Sequence, residues 1–155
     1  MLTIKTHDPA ATRAFGRTLG RLLGKGDVVC LTGDLGAGKT LLVQGIAAGL
    51  GVSDDVTSPT FTILQVYETG RLPLYHFDLY RLDSPEELDN IGFAEYTGGD
   101  GAAVIEWADK FPAAMPEEHL LIELNRGDGE SDRRIQLTPA GGRYRLLCEE
   151  LSDKC

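Results

Sequence analysis

The spacing of apolar and polar residues changes period repeatedly along the chain, and each change predicts an element. Residues 2 to 6 alternate weakly and predict a short first strand. Asp8-Pro9 then supplies a helix N-cap with proline at the first helical position. Up to Leu23, Ala11, Phe15, Leu19, Leu22 and Leu23 share one face and Arg13, Arg17 and Arg21 another, until Gly24-Lys25-Gly26 ends the helix. Val28-Val29-Cys30-Leu31 is a β-branched run between Gly26-Asp27 and Gly33, which predicts a buried strand. Leu42, Val43, Ile46, Ala47 and Leu50 return to helical spacing, and Gly51 stops that helix.

A hairpin is predicted next, from Phe61 to Tyr67 and from Leu72 to Leu79, with its tip at Thr69-Gly70-Arg71. Ser84-Pro85-Glu86-Glu87 reads as a capping box with proline inside it, opening a helix through Leu88 and Ile91. After the loop Gly98-Gly99-Asp100-Gly101, residues Ala103 to Trp107 predict a buried strand that ends in an acid and the only tryptophan. Beyond a Pro-containing turn at 113 to 118, three strands are expected: His119 to Leu124, Arg133 to Thr138 and Tyr144 to Cys148. A frayed end is expected over 152 to 155. Strands joined by short turns are antiparallel, so the fold expected is α/β, with a mixed sheet that is parallel around residues 33 to 40 and antiparallel elsewhere.

Composition narrows the function classes. The 155 residues are expected to form one domain, since no repeat and no dividing linker is found, and the 42% hydrophobic content is that of a globular protein. No apolar run approaches a membrane span and Met1-Leu2-Thr3-Ile4-Lys5 does not open a signal peptide, so a cytoplasmic location without membrane contact is expected. Cys30, Cys148 and Cys155 match no zinc spacing, and two lie in apolar contexts, which favours buried thiols over a metal or redox role. Net charge −9 disfavours a direct grip on a nucleic-acid backbone. Arg126, Arg133, Arg134, Arg143 and Arg145 leave a local basic patch open, although paired surface charges explain such a cluster as well.

The sharpest chemical signal is Gly33-Asp34-Leu35-Gly36-Ala37-Gly38-Lys39-Thr40, which fits the phosphate-binding pattern G-x-x-x-x-G-K-[ST] without a mismatch. Its glycines let backbone N–H groups turn inward around an anion. Lys39 brings an ammonium to the β and γ oxygens, and the Thr40 hydroxyl can take a Mg²⁺ coordination position. The helix that follows aims its positive end at the phosphates. A Gly-rich turn joining strand to helix is the plain alternative, but chance produces this pattern in roughly one chain of this length in a hundred.

Other candidates are less specific. The hydroxyls of Thr57, Ser58, Thr60 and Thr62 beside Pro59 are either a polar turn or oxygen donors near a γ-phosphate, and composition favours neither. Asp78 and Glu106 end apolar strands, where a phosphate-loop protein holds Mg²⁺; Glu106 is also a candidate base. His76 lacks a second His or Cys at ligand spacing and reads as a packed or hydrogen-bonded side chain. Trp107 either caps the core or borders the nucleotide, and residues 6 to 10 either begin a packing helix or flank a base.

Residues 33 to 40, Ser-Pro-Thr-Phe at 58 to 61, Tyr-His-Phe-Asp-Leu-Tyr-Arg-Leu at 75 to 82 and Glu-Trp at 106 to 107 together resemble the TsaE family, also called YjeE. These are small bacterial ATPases of tRNA threonylcarbamoyladenosine synthesis. The resemblance runs from about residue 8 to Trp107, without departure in the four motifs. It implies that residues 33 to 40 bind ATP, that Thr40 and Glu106 ligate Mg²⁺, that Asp78 fills a second acidic role, and that Thr57 to Thr60 form a switch region. It further implies two protein partners, TsaD and TsaB, with tRNA reached only through the complex. A small-molecule kinase would share the loop but should carry an Arg-bearing lid, and residues 86 to 101 contain no arginine. A GTP switch would need a guanine-reading Asn-Lys-x-Asp, which the sequence lacks. An interaction module that binds nucleotide without hydrolysing it remains the other alternative.

Overall fold

Strand β2 (Val28–Gly33) lies at the middle of a mixed sheet and positions everything that follows. The computed structural model describes residues 1–33, 38–57, 59 and 62–154. These form seven strands in the order β1-β7-β6-β2-β5-β4-β3. The others are β1 (Leu2–Thr6), β3 (Leu64–Tyr67), β4 (Leu74–Asp78), β5 (Ala102–Glu106), β6 (His119–Arg126) and β7 (Arg133–Ala140). β2 pairs parallel with β5 and β6, and β4 with β5; β1 with β7, β6 with β7 and β3 with β4 are antiparallel. The expected mixed sheet is therefore present, parallel around β2 and antiparallel at both edges.

Alternation along the central strands builds two cores. Val29 and Leu31 of β2, Ala102 and Val104 of β5, and Leu74 of β4 face helices α1 (Pro9–Leu22), α2 (Lys39–Gly49) and α5 (Gly142–Lys154). Val28, Cys30, Ala103, Ile105, Tyr75 and Phe77 face the other way, onto α3 (Glu86–Asn90), α4 (Phe93–Thr97) and the 3₁₀ turns at Ala108–Lys110 and Pro112–Ala114. Both Cys30 and Cys148 are buried free thiols, and burial pushes the Cys30 thiol up to about 12. Cys155 lies outside the described residues.

The start of α1 follows the sequence closely, since Asp8 Oδ1 accepts the Ala11 N–H at 2.7 Å and Pro9 opens the helix. Its buried stripe is narrower than expected, running through Thr12, Phe15, Gly16, Leu19 and Gly20. The two glycines meet Gly45 and Gly49 of α2, so the helices touch backbone to backbone. A Cβ on Gly45 would stand 2.3 Å from the Arg13 carbonyl oxygen, and one on Gly20 would stand 2.2 Å from that of Ile46. At the far end, Arg71 from the hairpin tip donates to the carbonyls of Gly20, Arg21 and Leu23 at 2.8, 3.0 and 2.7 Å, satisfying the open carbonyls of α1.

Several expectations are corrected. Tyr144 to Cys148 is not a strand: Gly142–Lys154 is a helix, and 152 to 154 are its last turn rather than a frayed end. Tyr144, Leu147, Cys148 and Leu151 are spaced i, i+3, i+4 and i+7 and form its buried face. Its start is anchored where Arg143 Nη2 meets Asp27 Oδ2 at 2.8 Å and the Tyr144 hydroxyl accepts the Val28 N–H at 2.8 Å. Strand β3 runs from Leu64, because Ile63 has φ 67°, which breaks an extended chain; the expected start at Phe61 lies outside the described residues. Strand β5 ends at Glu106, because Trp107 has φ 60°. The capping box at 84 to 87 is half realised: Glu87 Oε2 accepts the Asp83 N–H at 2.6 Å and the Ser84 N–H at 3.3 Å, but the helix it opens lasts only from Glu86 to Asn90.

Candidate functional site

The carboxyl end of β2 hands the chain to the amino end of α2, and both junction glycines are needed there. Gly33 has φ 151°, and a Cβ on it would come 2.2 Å from the Leu124 carbonyl oxygen; Gly38 has φ 101°. Asp34, Leu35, Gly36 and Ala37, expected to cradle phosphate, lie outside the described residues, as does Thr60. Lys39 and Thr40 form the first turn of α2, and the N-cap Gly38 offers no side chain to the N–H groups there. Lys39 is nine-tenths buried: its Nζ donates to the Gly33 carbonyl at 3.2 Å and sits 4.7 Å from the centroid of the Trp107 ring.

Period-two alternation also sorts the acids. Leu74, His76 and Asp78 share one face of β4, and Ala102, Val104 and Glu106 the same face of β5, the face that packs on α2. Register sets Asp78 beside Glu106 and His76 beside Val104. Asp78 and Glu106 are each 3% exposed and His76 is sealed. His76 Nε2 contacts Glu106 Oε2 at 2.6 Å, and among the described residues His76 Nδ1 is the buried side-chain polar atom left without a partner. Asp78 Oδ1 accepts the Tyr80 N–H at 3.0 Å. Candidates separated by dozens of residues are thus brought to one strand edge.

The sequence left His76 as a packed or bonded histidine and could not name its partner, which depends on the β4–β5 register. The positive φ at Trp107 reverses the direction alternation would impose and brings its ring over Lys39; Tyr80 adds a second ring at 5.0 Å. Ile63 and Trp107 are the described non-glycine residues with positive φ, and both border this edge, since the Asp78 N–H bonds to the Ile63 carbonyl at 2.8 Å. Thr57, the described start of the suspected switch, gives its N–H to the Tyr67 hydroxyl at 3.4 Å.

A small hollow of about 50 Å³ lies on the other side of Gly38, lined by Pro9, Thr12, Leu41, Ser131 and Arg133. Thr12 Oγ1 bonds Thr6 Oγ1 at 2.6 Å, and the β1–β7 register sets Thr6 opposite Arg133. Pro9 and Thr12 therefore share this hollow with Gly38 and Leu41. Ser131 and Arg133 were missed as lining residues, because only strand pairing brings the 127 to 133 turn to α1. Of the basic cluster, Arg143 is in the Asp27 ion pair, while Arg133 Nη1 donates to the Glu130 and Asp132 carbonyls at 2.9 and 2.8 Å.

Thr40, Asp78 and Glu106 together offer a hydroxyl and two carboxylates. These are hard oxygen donors of the kind Mg²⁺ takes when phosphates and water complete its shell, so the residues present fit that ion. Among the described residues, no group of three or more His, Cys, Asp or Glu could hold a metal by itself.

Comparison with known proteins gives one consistent result. The family model described as threonylcarbamoyl adenosine biosynthesis protein TsaE matches residues 6–135. A Bacillus subtilis protein named tRNA threonylcarbamoyladenosine biosynthesis protein TsaE is 44% identical over 148 residues, covering 96% of this chain and 92% of that one. The Treponema pallidum protein of the same name is 50% identical over 113 residues, covering 73% and 83% respectively. The crystal structure of Bacillus subtilis YdiB superimposes with a TM-score of 0.85 at 41% identity, covering 99% of this chain and 95% of that one. That likeness agrees with a phosphate-loop NTPase fold.

Proposed function

The chain belongs to the TsaE family, and from that premise we propose that it binds and hydrolyses ATP with Mg²⁺ in support of tRNA threonylcarbamoyladenosine synthesis. The observation that carries this reading is the meeting of Lys39, on the first turn of α2, with the ring of Trp107, the residue that follows Glu106 at the end of a neighbouring strand. On this reading Lys39 leaves the Gly33 carbonyl for the β and γ oxygens, while the N–H groups of residues 33 to 40 and the start of α2 hold the phosphate chain. Thr40 and Glu106 hold the ion, with Asp78 as the second acid. When bound, Mg²⁺ neutralises charge on the phosphate oxygens. On this reading the base or ribose lies toward Pro9, Thr12 and Arg133, whose hollow opens beside Gly38 and, at about 50 Å³, admits only the edge of either group. The seal around the His76–Glu106 pair excludes water from one side of the reacting edge.

The protein partners of this reading are TsaD and TsaB, and tRNA is engaged through that complex. Net charge −9 supports a subunit that acts on proteins without itself gripping the tRNA backbone. No helix among the described residues is long and apolar enough to cross a membrane.

Phosphate release from ATP, by this chain alone and then with the partner complex and tRNA, tests the proposal. Mg²⁺-dependent release that Lys39→Ala removes supports it. Nucleotide binding without release in either setting would favour a non-hydrolysing interaction module.

A further inference from the structure

We infer that His76 is a positioning residue that makes Glu106 a one-oxygen metal ligand and so favours Mg²⁺ over Ca²⁺ at this site. The inference rests on the ATP and Mg²⁺ reading above and deepens it. Its starting point is an imbalance in the core. His76 faces the apolar layer under α2, in register with Val104, and is wholly buried. An imidazole there costs free energy unless its polar atoms are bonded, and among the described residues only one of them is: Nε2 meets Glu106 Oε2 at 2.6 Å, while Nδ1 has no partner. A leucine or phenylalanine would fill the space without leaving an orphan. Buried polar pairs of this kind are poor stabilisers compared with apolar residues of similar size. The histidine is therefore better explained by what it does to the carboxylate.

The effect follows from donor inventory. A carboxylate that ligates a cation is ionised and only accepts, so the contact that braces it is an Nε2–H donated to Oε2, with Nδ1 as the bare nitrogen of the neutral ring. That tautomer avoids a sealed N–H with nothing to donate to. With Oε2 held at 2.6 Å, the rotation that would swing both oxygens toward one ion is blocked, and Oε1 is the oxygen left for a cation. The Glu106 side chain is 5% exposed and that of His76 is 0%, so the braced oxygen lies on the sealed side. Mg²⁺ requires a compact octahedral shell and takes carboxylates through single oxygens, whereas Ca²⁺ accepts larger shells and often a two-oxygen carboxylate. A glutamate locked to one oxygen discriminates between them.

The test is calorimetric titration of a non-hydrolysable ATP analogue into the full chain, without divalent ion, with Mg²⁺ and with Ca²⁺. It is run for wild type, His76→Leu and His76→Gln, each checked by a melting curve. Wild type should bind at least ~10-fold more tightly with Mg²⁺ than with Ca²⁺. In His76→Leu that ratio should fall to within about threefold, while metal-free affinity stays within about twofold of wild type. His76→Gln, whose amide NH₂ can reach Oε2, should recover most of the ratio. An unchanged Mg²⁺ to Ca²⁺ ratio in His76→Leu would overturn the inference, as would a proportional loss of metal-free affinity, which marks a merely structural role. Should His76→Leu not fold, a long-range ¹H–¹⁵N spectrum of wild type decides: protonated Nε2 with bare Nδ1 supports the inference, and the opposite tautomer overturns it. A wild type whose nucleotide affinity ignores Mg²⁺ altogether would instead sink the ATP and Mg²⁺ reading, so the two failures are distinguishable.

Discussion

Asp78 and Glu106 occupy the same register position on adjacent parallel strands, each as the last residue of its strand and each 3% exposed. Their second bonds separate them. Asp78 uses Oδ1 to tie down the Tyr80 N–H and so shapes the turn after β4, whereas Glu106 is braced by a side chain on the neighbouring strand. One acid is committed partly to its own backbone, and the other is held out as a rigid group.

Glu106→Ala should therefore damage Mg²⁺-dependent hydrolysis at least as severely as Asp78→Ala, and each variant should bind nucleotide better than it hydrolyses it. Asp78→Ala also gives up the Tyr80 bond, at a cost of about 1 kcal/mol, and Glu106→Ala leaves the His76 N–H buried and unpaired, at a cost of roughly 1–3 kcal/mol. Phosphate release as a function of Mg²⁺ concentration, alongside urea unfolding, separates the two effects. Full Mg²⁺-dependent turnover in Glu106→Ala would transfer the main ligand role to Asp78.

Gly45→Ala should destabilise the protein by about 2 kcal/mol or more, even though alanine is the better helix former by up to ~1 kcal/mol. The new methyl would meet the Arg13 carbonyl oxygen at 2.3 Å, and that atom cannot yield unless α1 moves as a whole. Because α1 carries Pro9 and Thr12, nucleotide affinity should fall with stability. Gly142→Ala is the control, since its nearest neighbour is an Arg145 Nη2 at 3.8 Å, and it should be neutral or mildly stabilising. Denaturant midpoints for the two variants decide; equal midpoints would mean that the α1–α2 approach is not tight.

Much of this arrangement is legible in the sequence. Asp8-Pro9, the glycines at 33 and 38, and the apolar runs into Asp78 and Glu106 are local signals whose physics acts within a few residues. What was not legible depends on distant partners. Tyr-Arg-Leu-Leu-Cys at 144 to 148 is too short an apolar run to separate strand from helix by period alone, and the decisive Tyr144–Val28 and Arg143–Asp27 bonds span 116 residues. The His76–Glu106 pair likewise needs the β4–β5 register. The break at Trp107 is likewise set by the backbone turn after Glu106, where φ reaches 60°, and the apolar run through 103 to 107 carries no sign of it.

Tyr144→Phe should cost roughly 1–3 kcal/mol, since it removes the acceptor of a buried Val28 N–H while keeping the ring in place. Burial, chiefly, raises the Tyr144 hydroxyl above the usual tyrosine value; Asp27 adds to this, and the Val28 bond and Arg143 oppose it. The folded pKa thus exceeds the unfolded one, so this group's contribution is full below the unfolded value of about 10 and is lost as pH rises through the folded value. Urea unfolding near neutral pH and again above pH ~10 should show wild type losing its advantage over Tyr144→Phe at the alkaline end. An advantage independent of pH would mean that the hydroxyl is not held neutral by the core.

Lys39→Ala should abolish productive ATP binding and leave the fold intact. Among the described residues the ammonium touches the Gly33 carbonyl and the Trp107 ring, and its contact with the ring is worth on the order of 0.5–2 kcal/mol. Trp107 is the only tryptophan, so intrinsic emission reports one indole. With the Lys39 Nζ 4.7 Å from its ring centroid, that indole senses where the lysine points. ATP with Mg²⁺ should draw the ammonium away to the phosphates and shift or quench the emission saturably. Lys39→Ala should alter the spectrum even without nucleotide and should remove the response to it. Fluorescence titration paired with calorimetry and a melting curve checks each part. Unchanged ATP affinity in Lys39→Ala would remove the central claim, and emission indifferent to ATP in wild-type protein shown to bind it would return Trp107 to a packing role.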